Sequence, residues 1–525
     1  MQVSVKTELQ EQLLPVVEKL AAEKIASRIF AKDASLWGSA AQSEAAIRLG
    51  WVESAATSVE LIPEILKLRD SLAASGVDRV VLCGMGGSSL APEVIAKNTG
   101  KNIVILDSTA PDQVLSAIRE LSRTVVVVSS KSGSTAETDS QKRAFETAFR
   151  AAGIDPADRI VIVTDPGSPL DVASRTAGYR VFNADPNVGG RYSALTAFGL
   201  VPAGLAGSDI SSLLANAKNA EPDLSVDSVE NPAFWLAAVL SATRSQTGMK
   251  DKFLIETDDL PGFGDWIEQL VAESTGKDQH GVLPVVISKS APEAKLDLDD
   301  TLQIAFNSNP ATQHDLNFSG KLGELFLLWE YATAISGYLM GINPFDQPDV
   351  ESAKIAARSL LDSPQVGKEV DFVDRGMSVS GNGLKIIGST VEAAVEQLMA
   401  LADEKSFFAV QVYLSRPEYP QFESLRDLLA ERTGRPVTFG WGPRFLHSTG
   451  QYHKGGPRQG IYLQITGEHG VDLDIEGRPF SFGDLITAQA AGDANVLSEN
   501  GLPVISIHMP EPLQNLAFLE KVIAS

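Results

Sequence analysis

The stretch VVVVSSKSGSTAET, residues 125–138, carries an apolar strand straight into a loop of hydroxyls. Ser129, Ser130, Ser132, Ser134, Thr135 and Thr138 surround a single ammonium, Lys131. Apolar strands ordinarily end in Gly, Asn, Asp or Pro turns. Neutral hydroxyl donors with one lysine, ahead of a helix N-terminus, suit the terminal oxygens of a phosphate monoester. A second loop, GMGGSS (Gly84–Ser89), also opens a helix, and its glycines let backbone approach a ligand closely. The expected phosphate contacts are Gly87, Ser88, Ser130, Lys131, Ser132, Thr135 and Thr138. Helix capping would account for one or two of these hydroxyls, but not for all of them. GMGGSS is also a near miss to the dinucleotide fingerprint, with Asp107 about 20 residues on, where a ribose-binding acid would sit. A dinucleotide does not need the hydroxyl loop, so the phosphate monoester is preferred.

Other side chains could act on such a ligand. Glu273 lies in an apolar helix, WIEQLVAES, where burial strengthens a carboxylate as a base; a solvated helix-end glutamate is the plainer alternative. Arg191 follows two glycines in NVGGRYS and carries a permanent cation that could meet a developing oxyanion; a structural salt bridge is the alternative. Gln347 and Lys354, in FDQPDVESAK, are two helical turns apart and can face one cleft; Lys354 could equally be a solvated lysine. The six histidines are scattered. Only His447 and His453 are near each other, and not on one helical turn, so metal binding has little support.

The elements that must position these residues follow from the wider pattern. The chain has 525 residues, too many for one core. Its 67 acidic against 44 basic residues give a net charge of −23, which opposes nucleic acid and anionic membranes. The phosphate site must therefore be a local concentration of donors. The lone Cys83 excludes an internal disulfide and, with no secretory signal apparent, suggests a reducing cytoplasm. The longest apolar run, Leu325–Ile342, is interrupted by Glu330 and reads as a buried helix.

Short apolar segments at 79–84, 102–107, 124–130, 159–165 and 179–183 alternate with helical ones. That predicts an α/β fold with a doubly wound parallel sheet. The expected division is a helical extension at 1–49, a first α/β unit at 50–225, a second at 226–470 and a C-terminal segment at 471–525. Residues 364–383 read as a linker. Ligands in such folds sit beyond the carboxyl ends of the strands, where the two loops lie.

The ordered motifs GMGGSSL, SSKSGSTAET, NVGGRYSALTAFGL, AESTGK and GINPFDQPDVESAK resemble the phosphoglucose isomerase family. FGWGPRFLHSTGQYHKGGPRQGIYLQITG is similar to the isomerase half of bifunctional transaldolase/isomerase proteins, and the resemblance spans about residues 45–470. It implies two sugar-isomerase (SIS) α/β domains and interconversion of glucose 6-phosphate and fructose 6-phosphate. The route would be ring opening and a cis-enediol, with no metal or other cofactor, in a homodimer. By the same resemblance Glu273 is the base, while Gln347 and Lys354 act at the sugar ring. The ring-opening histidine departs from the usual motif, which should lie between the glutamate and the lysine. His280 and His314 fall there in unsuitable surroundings, whereas FLHSTGQ resembles the motif but lies downstream. His447 is therefore the expected acid/base, ahead of His453 and then His314. A phosphosugar sensor without chemistry, and an isomerase that also accepts mannose 6-phosphate, are the alternatives.

Overall fold

A computed structural model of the chain describes residues 1–245, 248–306, 314–362 and 370–525, without the side chains of residues 353, 354 and 362. The chain opens with strand β1 (Gln2–Val5) and a group of helices. The first sheet has strand order β3 (Val104–Leu106), β2 (Arg79–Gly84), β4 (Thr124–Ser129), β5 (Ile160–Thr164) and β6 (Arg180–Asn183), all parallel. Every residue of β4 is buried, as a β-branched run requires when helices cover both faces of a parallel sheet. The register sets Gly84 opposite Ser129, so the glycine loop and the hydroxyl loop leave the sheet side by side.

A second sheet joins β7 (Lys252–Glu256), β8 (Leu283–Ile287), β9 (Thr301–Phe306) and β10 (Leu316–Ser319) in parallel, in the order β10-β9-β7-β8. β1 adds antiparallel at its edge, so the N-terminal stretch, expected to be wholly helical, also contributes a strand. A third sheet contains β11 (Phe372–Asp374), β12 (Met377–Asn382), β13 (Phe407–Tyr413), β14 (Val437–Trp441), β15 (Gly460–Gly467) and β16 (Val504–Met509), ordered β11-β12-β16-β15-β13-β14. Its last four strands in that order are mutually parallel.

The span 226–470, read from the sequence as one unit, thus supplies two sheets. The C-terminal stretch is not set apart: β16 lies inside the third sheet, parallel to β15 and antiparallel to β12. The described part of 364–383 forms an antiparallel strand pair rather than a linker. The physical reason is common to all three: a strand's neighbours come from register across long crossovers, and no local pattern encodes them.

The apolar run forms the helix Leu322–Met340, buried throughout Leu325–Gly337 and packed on the helices Ile210–Leu224 and Pro232–Ala242. Among the described residues no helix is long and apolar enough to cross a membrane, and no cluster of three or more His, Cys, Asp or Glu could hold a metal ion. Cys83 is buried in β2, and burial pushes its thiol well above the usual range.

Candidate active site

A cleft of about 450 Å³ opens beyond the carboxyl ends of β2 and β4. It is lined by Gly86–Ser88, Ser129–Ser132, Thr135, Arg191, Gln269, Glu273, Gln347 and His447. The first sheet supplies two of its walls. Ser130 Oγ lies 3.1 Å from the Thr135 hydroxyl and accepts from the Gly133 N–H at 3.2 Å. Thr135 stands at the N-cap of the helix Ala136–Ala151 but makes no side-chain cap, so its hydroxyl is not used up on the helix. Lys131 Nζ contacts Asp165 Oδ2 at 2.6 Å and donates to the Pro186 carbonyl at 3.2 Å. Burial raises the Asp165 carboxyl above its usual range.

Two glycines are required by contact. A Cβ on Gly87 would fall 2.0 Å from the Gly190 carbonyl oxygen, and one on Gly86, at φ +53°, would fall 2.5 Å from the His447 carbonyl oxygen. The glycine loop is therefore seated against the backbone that carries Arg191 and the backbone that carries His447.

The helix Phe263–Thr275 presents Glu273 in its last turn. Arg191, 4% exposed, stands beside it, with Nη1 at 3.4 Å from Glu273 Oε1. The guanidinium is held on every edge. Nε donates to Ser274 Oγ at 2.7 Å, Nη1 to Gln347 Oε1 at 2.8 Å, and Nη2 to the carbonyls of Pro344 at 2.7 Å and Asp346 at 3.0 Å. Lys277, from the same AESTGK motif, anchors that loop through Asn343 O, Asp346 O and Asp346 Oδ1; burial lowers its ammonium to about 8.

His447 arrives from the third sheet's unit, on the one-turn helix Arg444–His447. Its Nε2 is 2.9 Å from Glu137 Oε1, in the first turn of the helix that follows the hydroxyl loop. Its carbonyl accepts from Gln269 Nε2 at 2.8 Å, and the same amide reaches Glu273 Oε2 at 3.2 Å. Arg444 ties the turn down, with Nη1 at 2.7 Å from both Glu93 Oε2 and Asp107 Oδ2, and Nη2 at 3.2 Å from Asp265 Oδ2. Asp107 is thus a partner of Arg444, which tells against the ribose role weighed from the sequence.

The expected Gly87, Ser88, Ser130, Lys131, Ser132, Thr135, Arg191, Glu273, Gln347 and His447 all line this one cleft. Thr138 does not. It is buried in the body of the helix Ala136–Ala151, with its hydroxyl unpartnered. Lys354 lies in the helix Val350–Asp362 by its backbone, and its side chain is outside the described residues. His453 is buried among Phe407, Phe445 and Tyr462, with neither ring nitrogen hydrogen-bonded, and burial pushes it down to about 3. His314 stands 3.3 Å from Glu256 Oε2 on the second sheet, away from the cleft. Sequence reasoning passed over Gln269, Glu137 and Arg48, which also lines the cleft. Gln269 was within reach, four residues before Glu273 on one helical face. Glu137 lay inside the quoted hydroxyl stretch, but only its pairing across 310 residues gives it meaning.

A family model described as phosphoglucose isomerase matches residues 70–290. A protein of Natronomonas pharaonis named probable glucose-6-phosphate isomerase is 30% identical over 345 residues, covering 55% of this chain and 81% of that protein. A glucose-6-phosphate isomerase of Clostridium tetani is 30% identical over 375 residues, covering 57% of this chain and 82% of its own length. Among solved structures, a glucose-6-phosphate isomerase of Chlamydia trachomatis superposes with a TM-score of 0.55 at 20% identity, covering 69% of this chain and 88% of that one. A hypothetical protein of Thermus thermophilus superposes at 0.58 with 24% identity, covering 69% of this chain and all of its own.

Proposed function

The chain belongs to the phosphoglucose isomerase family, and on that premise we propose that its cleft interconverts glucose 6-phosphate and fructose 6-phosphate. One observation carries the assignment of roles: a carboxylate 3.4 Å from a buried guanidinium shares a cleft with the hydroxyl loop and a histidine–carboxylate pair.

The hydroxyls of Ser88, Ser130, Ser132 and Thr135, with Lys131, hold the phosphate dianion against the chain's acidic field. His447 moves a proton between the ring oxygen and the anomeric hydroxyl, with Glu137 orienting the imidazole and meeting the imidazolium when it forms. Glu273 takes the proton from C2 of the open aldose and returns it to C1, and the C2 hydroxyl proton passes to O1 overall, so the ketose forms with no net loss or gain. Arg191 meets the oxyanion of the enediolate. Gln347, bonded to Arg191, and Lys354 attend the sugar hydroxyls. The three sheets divide the labour: phosphate on the first, base on the second, ring opening from the third.

The family resemblance suggests a homodimer. Every residue given a role here comes from one chain, so in this reading a dimer would steady the units and would not be needed to complete the cleft.

The test is formation of glucose 6-phosphate from fructose 6-phosphate with EDTA present and no cofactor added, with Glu273→Gln in parallel. The substitution is isosteric and keeps a hydrogen-bonding group facing Gln269 and Arg191, so the fold is undisturbed. A base contributes about 10²–10⁴ in rate, and a loss of that size is expected. Equal turnover by both proteins would remove Glu273 from the role.

A further inference from the structure

Gln489 lies on the helix Phe482–Glu499, in the C-terminal stretch that carries no sequence motif. Its Nε2 donates to Glu137 Oε1 at 2.7 Å, the same oxygen that stands 2.9 Å from His447 Nε2. Its Oε1 accepts from the Thr109 hydroxyl at 2.6 Å. The chain Thr109–Gln489–Glu137 is buried at every member. Only one orientation of the amide satisfies it. A flipped Gln489 would set its carbonyl oxygen against a carboxylate oxygen, acceptor against acceptor. The amide thus fixes the carboxylate's rotation without setting a second positive charge beside the imidazole, as a lysine or arginine there would.

We propose that Gln489 is a positioning residue for ring opening: it holds Glu137 in the rotamer that orients His447. The inference rests on the functional reading above, in which His447 is the ring-opening group. It gives the helix Phe482–Glu499 a part in the reaction. Crossover helices of parallel sheets often carry only packing. This one also brings a polar side chain to the first sheet's loop, where its packing neighbours on the same helix, Leu485 and Ile486, are apolar and buried.

Ring opening can be read by itself, as the rate at which the α and β anomers of glucose 6-phosphate interconvert, measured by NMR exchange. Affinity for 6-phosphogluconate, an open-chain sugar-acid phosphate, reports phosphate binding with no ring to open. In the full-length protein, Gln489→Leu is expected to slow anomer exchange about tenfold, the rate equivalent of one charge-assisted hydrogen bond. Its affinity for 6-phosphogluconate should stay within about twofold, because the phosphate loop is untouched. Thr109→Val, which keeps the shape and frees the amide, should slow exchange in the same direction. Gln489→Glu sets a second carboxylate beside the pair, favours the imidazolium, and should move the acidic limb of the exchange pH profile upward. Unchanged exchange in Gln489→Leu and Thr109→Val, or a loss of exchange matched by an equal loss of 6-phosphogluconate affinity, overturns the positioning role. So does an unmoved limb in Gln489→Glu. A wild-type protein that neither exchanges anomers nor isomerises would instead bring down the functional reading, and this inference with it.

Discussion

Replacing Arg191 by lysine keeps the charge and removes the fork, and the consequences can be worked from the contacts. The guanidinium serves Ser274 Oγ from Nε, Gln347 Oε1 from Nη1, and the Pro344 and Asp346 carbonyls from Nη2. These acceptors lie on different edges of a planar group, and one ammonium cannot reach them all. At least two bonds are lost. With each worth about 1.5–3 kcal/mol to a charged donor, and water able to enter from the cleft, a stability loss of about 2–4 kcal/mol is expected. The catalytic loss is separate. Withdrawing a preorganised donor from a developing oxyanion costs about 10²–10³ in kcat, or about 2.7–4 kcal/mol. KM should change little, because the phosphate is held by the hydroxyl loop. The assays are steady-state kinetics with fructose 6-phosphate and chemical denaturation of the same preparation. A variant with near wild-type kcat, or one whose KM rises while kcat stays fixed, would refute the enediolate role and make Arg191 a binding group.

Two further outcomes follow from the placement of particular side chains. Thr135→Val should raise KM for the sugar phosphate about tenfold, the value of one charge-assisted hydrogen bond, whereas Thr138→Val should leave KM within about twofold; a KM rise in the second variant alone would reverse the two assignments. His453, buried and held down to about 3, binds fewer protons folded than unfolded between about pH 6.5 and pH 3. Its contribution is therefore complete above the unfolded value near 6.5 and is lost as pH falls through that window, on the order of 5 kcal/mol at the acid end. Urea midpoints at pH 7 and pH 4 should lie closer together in His453→Phe than in the wild type, and an unchanged difference would show that His453 does not set the acid sensitivity.

The sequence by itself determined whatever depends on neighbours a few positions away. Four consecutive valines can only be a strand covered on both faces, and the hydroxyls after them announce an anion before any coordinate does. The alternation of short apolar strands with helices made the α/β class legible, and two glycines before Arg191 marked a close approach. Glu273 was legible because its apolar helix and its motif agreed. Only the tertiary structure decided what depends on register and long crossovers. It put β16 inside the third sheet, split 226–470 between two sheets, and turned His447 towards the cleft while burying His453 six residues on. It removed Thr138 from the cleft, one helical turn past Thr135, because a helix sends successive side chains around its axis and the third faced the interior. The pairs that organise the site, Glu137 with His447 and Glu137 with Gln489, join residues 310 and 352 positions apart. Loop closure over such distances costs entropy that only the assembled core offsets, so no local signal can carry these contacts.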